Sequence, residues 1–447
     1  MPRLTALFAS WICLACTWLT SQYGTPNSVA QCVDPNWSWQ PASYIEWAAL
    51  VDVAEVPTLL VATASGQLYF ITARTGQPLI PTPIAARPGV RLAPSLPGSD
   101  PRMVYCYDRF AVYAIELSTQ PVLRWQAGTW RRGLGIGSDL PTESAPTFQG
   151  DPENLTRIVV AHATPAGVLT IRNDGLGGLL ARNNGQLLWS LRLPPLSMVR
   201  LHIHDDTAAL IWKEGQRVMA ALFNLATGQR RSLKLPVDMS WPIWSTLIEP
   251  GLVTVHPNRV TLSHPKQPTR IWRVNPPATI MNTAIALHTA PRHQRHTLLV
   301  GTSDGGLQAL ELPACQPRWS LAPARQQTRY WTEINTHGDI VLTRTADSVS
   351  LHALATGQSL FSFEVAPATR LLHAELISPQ VWILTDSELT GAIITATALP
   401  LPDVDDTARV NRQKPQMAPR GVFRTAFFAG DSLLIVTDVG LWSYQLD

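Results

Sequence analysis

The sequence predicts an all-β chain built from one repeated unit, and three observations carry that prediction. The phrase Thr-Gly-Gln returns at Thr75-Gly76-Gln77, Thr227-Gly228-Gln229 and Thr356-Gly357-Gln358, with a relative at Asn184-Gly185-Gln186. The runs before it alternate apolar and polar residues, the period of a half-buried strand. Nine such runs pair into candidate hairpins, with turn centres near Gly66, Arg109, Gly175, Gly215, Asn258, Gly305, Asp347, Ser387 and Val439. Their mean spacing is about 47 residues, inside the ~40–50 residues of a propeller blade. The expectation is a single β-propeller of eight four-stranded blades, with seven to nine inside the range.

The first unit, LLVATASGQLYFITARTGQPLI (residues 59–80), has a strand, a turn at Gly66, a second strand and the Thr-Gly-Gln corner. Glycine suits such a corner because it reaches φ > 0 without steric cost. Further hairpins follow over residues 103–117, 167–189, 209–229, 252–272, 297–319 and 339–361. A weaker copy spans 381–399, and LLIVTDVGLWSYQL (433–446) closes the chain. Nine hairpins do not divide neatly into eight blades, so the weak copy reads as a distorted blade or a misread hairpin. The last unit lacks a final strand. Exchange with the N-terminal region, residues 37–53, would close the ring and remove exposed sheet edges.

Tryptophan follows the repeat. Four residues beyond the corner Gly stand Ile80, Trp189 and Phe361, although Ser232 takes that place in the unit of Gly228. Trp125, Trp272 and Trp319 follow hairpins that lack the Thr-Gly corner. A large aromatic at the end of each repeat can wedge between blades, gaining roughly 1.5–3 kcal/mol of burial. These residues are therefore read as core staples, not as a cofactor cage.

Composition bounds the rest. The chain has 447 residues, 45% hydrophobic and 15% charged, so it is globular. A net charge of +3 excludes a global electrostatic footprint for nucleic acid. The basic residues are nearly all Arg, with Lys at 213, 234, 266 and 414, and their scatter reads as codon bias. One Arg precedes an apolar run over residues 4–19, which reads as a secretory signal. The layout is a signal peptide over 1–30 and a propeller over 31–447. Cleavage after Ala30 fits Ser28-Val29-Ala30. Cleavage before Cys16 would leave a lipid-bearing cysteine, although Cys13 stands where such signals carry Leu; an uncleaved anchor is the third reading. Cys32, Cys106 and Cys315 are odd in number and widely spaced, which argues against a disulfide framework and leaves room for one pair.

The large gap between turn centres holds TWRRGLGIGSDLPTESAPTFQGDPENL, residues 129–155, rich in Gly, Pro and charge. It reads as a long surface loop and a candidate partner-binding surface. Trp130, Arg131, Arg132, Leu134 and Asp139 are its candidate contact residues.

The units GQLYFITARTGQPLI (66–80) and GGLLARNNGQLLW (177–189) resemble the repeat of quinoprotein-type, PQQ-like propellers. The resemblance covers most of the chain after about residue 45 and degenerates after Gly215. WD40 propellers share the period, but no Trp-Asp dipeptide occurs. Within the family the layout is most similar to BamB-type lipoproteins of outer-membrane barrel assembly. That resemblance implies a non-catalytic envelope scaffold, secreted to the periplasm or the inner face of the outer membrane, whose partners include barrel-assembly proteins. The segment Glu143-Ser144-Ala145-Pro146-Thr147 resembles the start of an inner strand in such blades. The alternatives are a quinone- or other small-molecule-binding propeller and an adhesin or pilus-associated propeller.

Enzymatic chemistry is weakly represented. A quinoprotein dehydrogenase would need a Ca²⁺ site of Glu, Asn and Asp oxygens, and its alcohol-oxidising members carry adjacent cysteines, absent here. The expectation is no catalysis and no cofactor. His202 and His204 would share a strand face and are a minor metal candidate, read instead as a polar turn before Ala209. His293 and His296 read as a basic interblade loop. Asp403, Asp405 and Asp406 form an acidic patch without an EF-hand pattern, and residues 409–420 read as an exposed basic loop.

Overall fold

The repeated hairpins become the middle strands of small sheets set around a ring. The structure is a computed structural model. It describes residues 34–445 apart from 96–99, 129–156, 237–238, 250, 276–277, 289–294, 323–331, 366–368, 378–379, 388–393, 401–415 and 430. Among the described residues the strands form nine antiparallel four-stranded sheets. Blades 1 to 8 span residues 45–85, 91–128, 158–192, 199–233, 244–273, 280–321, 333–364 and 369–417. Blade 9 spans 423–445 and takes its fourth strand from Trp37–Trp39. Strands are called A to D from the inner edge of each blade outward. The ring has nine blades, the upper end of the expected seven to nine, and the weak copy at Val381 is a blade in its own right. Its B and C strands, Gln380–Ser387 and Ile394–Pro400, pair over seven positions, but its D strand is only Gln416–Met417.

The N-terminal region divides instead of acting as one exchanged strand. Trp37–Trp39 pairs with Leu441–Gln445 as the D strand of blade 9. Ile45–Val53 is the A strand of blade 1.

The core lies between blades. Nine apolar clusters each draw on two neighbouring blades, including one of Ile45, Leu59 and Val61 from blade 1 with Leu434, Val436 and Leu441 from blade 9. That last cluster shuts the ring. Each sheet has two apolar faces, and neighbouring blades cover both.

Four interfaces share one device. In each Thr-Gly-Gln or Asn-Gly-Gln corner the Gly amide donates to the carbonyl four residues back, at 2.8–2.9 Å. The Thr or Asn side-chain oxygen accepts the Gln amide, from 3.0 Å at Asn184 to 3.4 Å at Thr75. The Gly φ values are 68° to 74°. A tryptophan of the preceding blade then lies flat on that Gly: Trp37 on Gly76, Trp125 on Gly185, Trp189 on Gly228 and Trp319 on Gly357. A Cβ on any of the four would come within 2.9 Å of the ring. The indole Nε1 donates to Ala73, Arg182, Leu225 and Leu354 carbonyls at 2.7–3.1 Å. The staples therefore join successive blades, each Trp acting on the corner one repeat ahead. Trp272 packs into the cluster between blades 5 and 6, beside Cys315, which has φ 56°.

Candidate functional site

Antiparallel order puts D-to-A connections and B–C turns on one end of the ring, and the Thr-Gly-Gln corners on the other. The D-to-A end is where chemistry varies. Of eleven exposed large apolar side chains among the described residues, five stand on D-to-A connections or beside the start of an A strand: Tyr44, Met198, Ile243, Met281 and Val422. This end also receives the connection over residues 129–156.

A cleft of about 480 Å³ opens on this end, where blades 1, 2 and 3 meet. Blade 1 supplies Glu46 and Trp47, and the Trp47 indole donates to the Val90 carbonyl at 2.6 Å. That bond fixes the connection into blade 2, which turns at Gly89 (φ 77°) before the exposed Arg91. Blade 2 supplies the turn at Asp108. One oxygen of its buried carboxylate accepts the amides of Phe110 (2.5 Å) and Ala111 (2.9 Å), and the other accepts the Tyr113 hydroxyl (2.6 Å). Burial and the bond to Asp108 push the Tyr113 pKa up, so it stays a donor. With the carboxylate tied inward, the turn presents Arg109 to solvent.

Blade 3 completes the cleft with Arg157, Ile158 and Val159. The Ile158 amide donates to the Arg109 carbonyl at 2.7 Å. Arg157 and Asn173 are tied by two bonds: the Arg157 amide to Asn173 Oδ1 at 2.8 Å, and the Asn173 amide to the Arg157 carbonyl at 3.0 Å. The chain returning from the long connection is thus pinned at the mouth of the cleft. Arg91, Arg109 and Arg157, one near each entry, rim a floor of Trp47, Val90, Tyr107 and Ile158, with Arg87 lying 5.3 Å over the Phe110 ring nearby. Such a rim and floor accept an acidic or hydrogen-bonding side chain set in an apolar surround.

The sequence-predicted contact residues Trp130, Arg131, Arg132, Leu134 and Asp139 lie outside the described residues, as do Glu143–Thr147, Cys16, Cys32, the signal region, His293 and Asp403, Asp405 and Asp406. The structure shows where that connection leaves and returns. Arg109 entered the sequence reading only as a turn centre, and Arg91 and Arg157 not at all. The signal that could have found them is local: Arg109 centres a B–C turn where four other units carry Gly, and Arg157 follows the long insertion.

The other candidates resolve as follows. His202 and His204 sit on strand A of blade 4, Val199–His204, with the turn at Asp205 (φ 47°) after them. His202 Nε2 meets Ser245 Oγ of blade 5 at 2.7 Å, and burial with Arg200 and His162 nearby lowers its pKa to about 4. His204 Nδ1 lies 3.3 Å from Asp205. Among the described residues no group of three His, Cys, Asp or Glu side chains is placed to hold a metal ion. Cys106 and Cys315 are both buried and free; burial pushes the Cys106 thiol up to about 12. They do not pair with each other, because one lies in blade 2 and the other in blade 6.

No protein-family model matches this chain, and no curated protein does. Solved structures similar in fold include the following three. BamB from Moraxella catarrhalis is 13% identical, with 92% of this chain and 99% of that one covered, at a TM-score of 0.45. The computationally designed Ika8 protein is 14% identical, covering 93% and 100%, at 0.49. Sqt1 from Saccharomyces cerevisiae is 12% identical, covering 83% and 100%, at 0.46. At such identities and scores the likenesses carry no statement about function.

Proposed function

We propose that this protein is a non-catalytic scaffold that docks a protein partner on the D-to-A end of the ring. The observation that supports the reading is the arginine-rimmed cleft with its apolar floor on that end, with five exposed apolar side chains distributed around the same end on blades 1, 4, 5, 6 and 9. Apolar patches ringed by arginine are the composition of protein interfaces. A ring of blades packed face to face supports the described residues at that end. In its most concrete form the protein is a secreted envelope scaffold of the BamB type, carried by Cys16 or released after Ala30, with a barrel-assembly protein as partner. That form rests on the repeat resemblance and the signal-like N-terminus.

The test is affinity co-purification of envelope complexes with the intact chain and three variants: Arg109→Glu with Arg157→Glu, deletion of residues 131–153, and Ile243→Asp. Loss of the same bound protein in all three, with unchanged thermal stability, is expected. Retention of every partner by all three variants overturns the reading.

A further inference from the structure

The arginines that look scattered along the sequence gather on one part of the rim. The D strands of blades 4, 5 and 6 are Arg230–Leu233, Arg270–Arg273 and Gln316–Leu321. They hold five arginines, Arg230, Arg231, Arg270, Arg273 and Arg318, all exposed. Lys234 and Lys266 extend the strip, and both are exposed. Neither these strands nor the C–D corners before them contain an Asp or Glu. The described acids of the same three blades lie on turns (Asp205, Asp206, Glu249, Asp304), except Glu214 at the end of a B strand and Glu311 on a C strand. Elsewhere the rim does not concentrate charge this way. Blade 2 carries Arg124, which pairs with Glu116, and blade 7 ends its D strand in Glu364.

A charged outer strand has a routine use, since it discourages edge-to-edge pairing. Blade 3 has the same free edge and carries Leu188, 55% exposed, in its D strand, so edge protection alone does not account for the belt. The belt is also not purely ionic. Ile271, 43% exposed, stands between Arg270 and the half-buried Trp272, and Arg318 lies between Pro317 and Trp319. The backbone is braced for it: Arg270 Nη1 reaches the Pro313 carbonyl of blade 6 at 3.0 Å, and Thr269 Oγ1 the Lys234 carbonyl of blade 4 at 3.3 Å.

We propose that the outer rim of blades 4–6 is a second docking surface, for an acidic protein segment. Charge complementarity sets the sign of the partner. Shape and composition set its class. Three successive D strands of a nine-bladed ring turn through about 80°, so a flat lipid surface meets them one blade at a time, whereas a polypeptide can follow the curve. Arginine forks match separate carboxylates, and the interleaved Ile and Trp give them apolar company, as protein interfaces do. This surface lies on the rim, away from the cleft of blades 1–3, and stands or falls independently of the scaffold reading.

The test uses the full chain and fluorescence anisotropy with labelled poly-glutamate, anionic phosphatidylglycerol vesicles and a single-stranded DNA oligonucleotide. Poly-glutamate is expected to bind best at low salt and to weaken steeply as salt rises. The triple variant Arg231→Glu, Arg273→Glu, Arg318→Glu is expected to weaken it at least about tenfold, with Arg74→Glu, exposed on the C–D corner of blade 1 outside both the cleft and the belt, changing it less than about twofold. Arg231→Gln, Arg273→Gln, Arg318→Gln, which removes charge without reversing it, supplies the result if the Glu variant does not fold. Equal poly-glutamate binding by the triple variants and the intact chain would reduce the belt to edge protection and overturn the proposal. So would an absence of poly-glutamate binding, or tighter binding of vesicles or DNA.

Discussion

The interface between blades 3 and 4 and the one between blades 4 and 5 solve the same packing problem with different chemistry. At the first, Trp189 lies on Gly228 and its indole bonds the Leu225 carbonyl at 2.7 Å, over a cluster of leucines, isoleucine and Trp212. At the second there is no tryptophan in the outer strand, and the corner of blade 5 reads His264-Pro265-Lys266. Its bonds have moved inward. His202 meets Ser245 across the two A strands, Arg200 Nη2 reaches the Ile243 carbonyl at 3.0 Å, and Thr254 and Thr261 bond each other inside blade 5. The first interface is held at its rim by shape and one neutral hydrogen bond. The second keeps an apolar cluster that includes Ile211, Leu233 and Leu247, and adds polar bonds near the axis, of which the one at His202 depends on protonation.

The largest expected difference comes from removing the rim device. Trp189→Ala is expected to cost about 3 kcal/mol, the low end of the range for an excised core aromatic because the ring is half-buried, read as a drop in denaturant midpoint. A cost below about 1 kcal/mol would show that the apolar cluster alone holds blades 3 and 4. Next comes the pH response of the second interface. His202 has its folded pKa lowered from 6.5 to about 4, chiefly by burial. The unfolded chain therefore takes up a proton that the folded one refuses. Stability contributed by neutral His202 is complete above pH 6.5 and is lost as pH falls from 6.5 toward 4, by up to roughly 3 kcal/mol. His202→Gln should flatten that slope, while Trp189→Ala should shift the curve without changing its shape; equal slopes in wild type and His202→Gln would remove His202 from the account. Gly357→Ala follows, at roughly 1–3 kcal/mol for its left-handed backbone (φ 74°) and the Trp319 ring 2.6 Å from the added Cβ. Gly215→Ala, with left-handed φ but open space around it, separates the two causes; if both cost the same, the ring contact contributes nothing. The smallest effect is expected at Thr227→Ala, about 0.5–1 kcal/mol for the lost bonds to the Gln229 amide and Asn224.

Four of the nine hairpins were legible from a glycine at the B–C turn, Gly66, Gly175, Gly215 and Gly305, all with positive φ, and the others from the alternating strands on either side. The blade count was harder. Blade 1 ends in the two-residue strand Ile84–Ala85 and blade 2 begins with the two-residue Arg91–Leu92, too short to show a period. The sequence also placed Trp189 beside Gly185, four residues away, whereas the ring sits on Gly228 of the next unit. A repeat does not distinguish a contact within a unit from the same contact one unit on. The cleft was illegible for a related reason. Arg91, Arg109 and Arg157 come from three blades, and only ring geometry brings them to one rim.

The strand Trp37–Trp39 has two obligations. It pairs with Leu441–Gln445 on one side and lays Trp37 on Gly76 of blade 1 on the other. The ring is therefore fastened by a join between the two ends of the described chain. Until the final strand exists, the facing apolar sides of blades 1 and 9 have no cover. The molecule is thus a closed circle with one movable seam. A permuted chain beginning near residue 45, with residues 34–44 linked after 445, carries every contact of the original and moves the break to another point on the rim.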